Sequence, residues 1–193
     1  MNLVERVKHM LLTPKPEWEV IDTEAATPAG LYTSYIMPLA AIGPIAQAIG
    51  FSVFGIGVPF AGTTYRTPIG SALVHAVVSY VLALVGVFVL ALIIDGLAAT
   101  FAGTPNRIQA LKVAAYSSTA AWVAGIFGLI PALSILGILG LYSVYLLYLG
   151  LPTLMKAPPE KAGAYTVVVV IAAIVIFFVI GVIGARFTMM PMA

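Results

Sequence analysis

Cysteine is absent from this chain. That excludes disulfides, thiolate metal sites and cysteine nucleophiles. Charge is scarce: 8% of residues are Asp, Glu, Lys or Arg, against about 25% in an ordinary soluble domain. So little polar surface cannot cover a water-soluble globule. There are two histidines, His9 and His75. His75 and Asp95 cannot assemble a three-ligand metal centre alone. The net charge is +2, with no basic run interleaved with aromatics, which argues against nucleic acid as a partner. The apolar runs hold no paired carboxylates for acid/base work, and Ser117 and Ser118 have no base nearby in the sequence. No Walker-type phosphate loop occurs. The chain is therefore expected to be no enzyme, with no catalytic residue, no metal site and no cofactor.

What is abundant is apolar sequence, at 62% of residues. Residues 25–65, 67–94, 113–155 and 162–185 contain no Asp, Glu, Lys or Arg. About 20 apolar residues in a helix cross a ~30 Å hydrocarbon core. The expected fold is an all-α membrane protein: a five-transmembrane-helix bundle with a short amphipathic N-terminal interfacial helix. The spans are read at 31–54, 68–94, 108–128, 132–151 and 164–185. Pro38 and Pro44 should bend the first, and Pro131 separates the third from the fourth. The segment 55–62, GIGVPFAG, reads either as an apolar loop or as a shallow re-entrant segment. Residues 1–30 are read as a cytoplasmic interfacial segment and 31–193 as the bundle.

Leu3, Val4, Val7, Met10 and Leu11 follow helical spacing. Asn2 and Glu5 form a capping-box-like pair. Glu5, Arg6, Lys8 and His9 interrupt this piece, so no cleavable signal peptide is expected. Arg6 and Lys8 would meet anionic headgroups. Residues 13–30 hold four of the seven acids, and Trp18 with Ile21 suits a helix at headgroup level. Thr27-Pro28, Thr67-Pro68 and Thr104-Pro105 read as three capped helix starts.

Cations set the orientation. Arg6, Lys8, Lys15, Arg107, Lys112, Lys156 and Lys161 fall on one side, and only Arg66 and Arg186 on the other. The positive-inside rule then places the N-terminus in the cytoplasm and the C-terminus opposite. A bacterial cytoplasmic (inner) membrane is the expected location.

Ser71, His75 and Ser79 recur every four residues on one face of the second span, following Thr67. They read either as a polar pathway or as a structural histidine bonded to its neighbours. Asp95 and Arg107 are expected to form a structural ion pair. Tyr142, Tyr145 and Tyr148 drift around one face of the fourth span, and Tyr148 and Tyr165 suit an interface belt. Two small-residue stripes mark the third span: Ala120, Ala124, Gly128 and Ser117, Ala121, Gly125. They favour close helix contact, within the chain or in a homo-oligomer.

Three stretches resemble the YIP family of Ypt/Rab-interacting membrane proteins. They are TPKPEWEVIDTE, RIQALKVAAYSSTAAWVAGIF around Lys112, Tyr116 and Ser117, and LYSVYLLYLGLPTLMKAPPEKAGAY with Tyr142 and Gly150. Ala120 and Ala121 stand where members often carry proline, and EAATPAGLY replaces the Asp-Leu-Tyr-Gly-Pro of eukaryotic members. The resemblance is therefore to the prokaryotic branch, and Rab binding does not transfer. It implies a non-enzymatic membrane adaptor or organiser. Arg107, Lys112, Lys156 and Lys161 would meet a cytoplasmic protein partner or anionic lipids of the bilayer. The alternative is a small oligomeric transporter or channel subunit with its pathway near His75.

Overall fold

The computed structural model describes residues 2–57 and 64–188. The described chain is all-α apart from a two-stranded ribbon. Two short helices open it, α1 at Leu3–Leu12 and α2 at Pro14–Thr23. Asn2 caps α1 by accepting from the Glu5 N–H at 2.9 Å, and Pro14 supplies the fixed φ of a first helical position in α2.

Four helices among the described residues are long and apolar enough to cross a membrane: α3 at Pro28–Phe54, α4 at Ile69–Phe101, α7 at Pro131–Met155, and the Pro159–Ile176 part of α8, which runs Pro159–Thr188. Thr27 caps α3, accepting from Gly30 N at 3.1 Å. The other two Thr-Pro pairs do not cap: α4 has no side-chain cap, and Asn106 caps the helix after Pro105 through the Ile108 and Gln109 N–H groups. Pro38 lacks the N–H its preceding turn needs, and α3 widens to a π-turn at Tyr32–Ile36 just before it. Before Pro44 the helix breaks at Ala41.

The expected third span, 108–128, is not one continuous helix. It divides into α5 at Arg107–Ser117 and α6 at Thr119–Ala124, with a 3-10 continuation over Gly125–Leu129. Hydroxyls explain the break. Ser118 Oγ donates to Ala114 O at 2.7 Å, and Thr119 Oγ1 to Tyr116 O at 2.6 Å. Such bonds to the preceding turn compete with the helix ladder and bend it.

After α3, β1 at Ile56–Gly57 pairs antiparallel with β2 at Thr64–Tyr65. Gly55 turns into β1 at φ 74°, where a Cβ would stand 2.6 Å from Tyr65 O. Residues 58–63, the centre of the segment read as loop or re-entrant, lie outside the described residues, as does the Arg186 side chain.

The small residues of α6 and its continuation pack inside the chain. A Cβ on Gly125 would lie 2.8 Å from Gly43 Cα, and one on Gly50 only 2.3 Å from Gly128 O. Backbone thus meets backbone between α3 and the end of the broken span. One core cluster runs through the bundle and includes Met10, Trp18 and Ile21 of the N-terminal helices with Tyr35, Val113, Leu146 and Leu151. Trp18 and Ile21 are fully buried. Trp18 and Ile21 therefore face the protein core and not lipid: α2 is a core element, wedged against α7.

Candidate functional site

The chain concentrates its buried charge where α1 and α2 fold back on the bundle. Arg6 and Glu17 are both buried. Arg6 Nη1 donates to Glu17 Oε1 at 2.5 Å, and Nη2 to Glu24 Oε1 and Oε2 at 2.5 and 2.6 Å. His9 Nδ1 lies 3.1 Å from Glu17 Oε2. The Arg6 guanidinium also sits 5.6 Å from the Tyr116 ring centroid. Burial works against the Arg6 charge, but the Glu24 hydrogen bond and the neighbouring carboxylates outweigh it and hold its pKa above the ordinary value. Arg6 is therefore tied to two acids, where an open headgroup contact was expected.

The end of α2 is held from two sides. Lys112 Nζ donates to Ile21 O at 2.8 Å and to Glu24 O at 2.5 Å. An ammonium at a helix C-terminus satisfies open carbonyls and complements the helix dipole. Gln109 Nε2 donates to Asp22 O and Oδ1, and Lys156 Nζ to Asp22 Oδ2 at 2.6 Å. Lys156 itself ends α7 in the left-handed region at φ 55°. Thr104 N donates to Met155 O at 2.7 Å, bringing the α4–α5 loop beside the same corner.

Aromatic packing completes the lock. Trp18 meets Tyr116 edge-on with centroids 6.2 Å apart, and Tyr116 meets Tyr35 at 4.5 Å. The Tyr35 hydroxyl is 2.7 Å from Thr119 Oγ1. The Trp18 indole lies over Gly150: a Cβ there would be 2.7 Å from Trp18 Cζ2.

A cavity of about 620 Å³ opens beside this knot, between α1 and the start of α3. Arg6, Glu24, Lys112, Tyr35 and Tyr116 line it.

A family model described as Yip1 domain matches residues 8–181. The chain belongs to the Yip1 domain family. It is a multi-pass membrane protein of that family. No curated protein and no solved structure matches it. The Yip1 match begins inside α1, just after Arg6, and takes in all of α2, so the knot's other members (Glu17, Glu24, Lys112 and Tyr116) lie within the matched residues.

The residues singled out from the sequence divide by place. Lys112, Tyr116, Ser117 and Gly150 are buried, the first two lining the cavity and Gly150 receiving Trp18. Tyr142 is half-buried, its ring 5.3 Å from that of Tyr145. Arg107, Lys156 and Lys161 are exposed. Lys112 is not: it is buried and lines the cavity. Arg107 Nε lies 3.9 Å from Asp95 Oδ2 with the Arg107 side chain 87% exposed, a contact at the edge of ion-pair range. Ser71 is exposed and His75 and Ser79 half-buried, with Ser79 Oγ 3.4 Å from His75 Nε2. Tyr165 is no belt residue. It is fully buried, stacks on Phe101 at 4.7 Å, and donates to Ile94 O.

The sequence reading missed Glu17, Asp22, Glu24 and Gln109. Their signal was the run of acids between residues 17 and 24 in an acid-poor chain, which needs buried or bonded cations opposite.

Proposed function

We propose that this Yip1-family chain is a non-enzymatic membrane adaptor or organiser that presents one rigid, polar face to a cytoplasmic protein partner. One observation carries the reading: Asp22 joins α2 to both α5 and α7 through Gln109 and Lys156. The face is thereby built from three parts of the chain and held in one arrangement. Lys156 borders it, and Lys8, Lys15, Arg107 and Lys161 are exposed as well. Preformed surfaces bind without the cost of ordering loops.

In this reading α5 and α6 together make a fifth crossing, bent at Ser118. The N-terminus then lies in the cytoplasm of a bacterial inner membrane and the C-terminus opposite, as the cation count supports. Residues 1–30 act as the cytoplasmic part of the face. Transport near His75 has less support. Among the described residues, five cavities of the bundle are lined by residues other than Ser71, His75 and Ser79.

Amine-directed crosslinking in native membranes, read by mass spectrometry, tests the proposal. A different protein attached at Lys8, Lys15, Lys156 or Lys161 is expected, and its yield should fall when Arg107, Lys156 and Lys161 are neutralised. Recovery of self-crosslinks alone would reject the adaptor role.

A further inference from the structure

The cavity beside Arg6 and Lys112 has no part in the adaptor face, and its chemistry is that of a ligand site. At about 620 Å³ it falls within the ~300–1,000 Å³ of ordinary small-molecule pockets. Two cations that are themselves buried line it, Arg6 at 6% and Lys112 at 3% exposure. Arg6 is matched at bonding distance by Glu17 and Glu24. Lys112 is not matched in this way. Its ammonium touches only the carbonyls of Ile21 and Glu24, and no carboxylate among the described residues pairs with it. Asp22 and Glu24 support its charge only through space, which leaves the ammonium open to a directly bonded anion. An ammonium carries three N–H groups, so two carbonyls leave one to offer.

The place of the cavity decides which anion. Its wall includes Thr27, Gly30, Leu31 and Ser34, the first turns of α3, a helix long and apolar enough to span the bilayer. The mouth of a span lies at headgroup level.

We propose that this cavity binds the phosphodiester of a bilayer phospholipid, with the Lys112 ammonium as its main contact and the Arg6 guanidinium as its second. Glu24, a carboxylate on the same wall, already holds Arg6 from one side, so the phosphate sits closest to Lys112. The site does not depend on the adaptor reading.

The test uses the full-length chain in detergent, with native mass spectrometry and two probes sharing the same acyl tails: phosphatidylglycerol and diacylglycerol. Wild type should retain the phospholipid at least about tenfold more than diacylglycerol, the scale of one hydrogen bond to a charged group. Lys112→Met should lose that preference. Because Lys112 also holds α2, a second variant is needed. Ser34→Phe fills the cavity from α3 and leaves every ion pair in place; it should lose the preference while its melting temperature stays near wild type. Equal retention of both probes overturns the proposal. So does a folded Ser34→Phe chain that binds phospholipid as wild type does. Retention of free glycerol phosphate without any lipid preference would assign the site to a soluble phosphate and reject the lipid.

Discussion

Gly150→Ala adds one methyl group directly beneath the buried Trp18 indole. The new Cβ would lie 2.7, 2.9 and 3.0 Å from Trp18 Cζ2, Cη2 and Cε2. Carbon atoms settle at about 3.5–4.0 Å, so the indole must retreat by up to about 1 Å. It has nowhere to go, since Trp18 is fully buried against Tyr116. Overpacking of this kind costs about 1–3 kcal/mol. Alanine returns up to about 1 kcal/mol of helix propensity relative to glycine. The net expectation is a loss of about 1–2 kcal/mol. Denaturant unfolding in detergent measures it, and a double-mutant cycle identifies its cause. Phenylalanine at position 18 is smaller and relieves the contact. In the Trp18→Phe background Gly150→Ala should therefore be neutral or stabilising. Emission should report the same event: with Trp122→Phe leaving a single indole, Gly150→Ala should shift Trp18 emission to the red. An equal cost of Gly150→Ala in both backgrounds would refute the reasoning.

Other expectations follow from the same knot. Arg6→Ala leaves Glu17 buried without its cation and should cost about 3–5 kcal/mol; Glu24→Ala, whose side chain is 39% exposed, should cost about 1 kcal/mol or less, and unfolding curves showing the reverse order would overturn the assignment of Glu17 as the buried partner. Ala102 ends α4 with φ 58°, so Ala102→Gly should raise stability by about 1 kcal/mol, read as a higher melting temperature. The chain has no native cysteine, so single cysteines at Lys15, Lys161 and Arg66 can be labelled one at a time: the first two should react from the same side of the membrane and the third from the other.

The spans announced themselves because charge-free runs leave few alternatives in a bilayer. The break inside the third did not. No proline or glycine stands at Ser118, and the hydroxyls of Ser118 and Thr119 act through backbone carbonyls of their own turn, which many serines and threonines in helices tolerate. Trp18 was misread for a related reason. Tryptophan beside acids and prolines ordinarily marks a membrane interface. The counter-signal was Gly150, whose missing side chain makes room for the indole, and a single sequence does not announce such distant pairs. Lys112 was read as a surface cation by its place near a helix start. Its burial depends on the carbonyls of Ile21 and Glu24, which hydropathy does not register.

The seating of Trp18 on Gly150 also sets a schedule. The indole is made early and its seat late. At ribosomal rates of about 5–20 residues per second, roughly 7–26 s pass before Gly150 follows Trp18 out of the peptidyl-transfer centre. During that interval Trp18 can meet Tyr116 once α5 has been made, but its seat on α7 is missing. Delivery of the seventh helix then completes the seat, so the amino-terminal knot cannot close fully before α7 has been made.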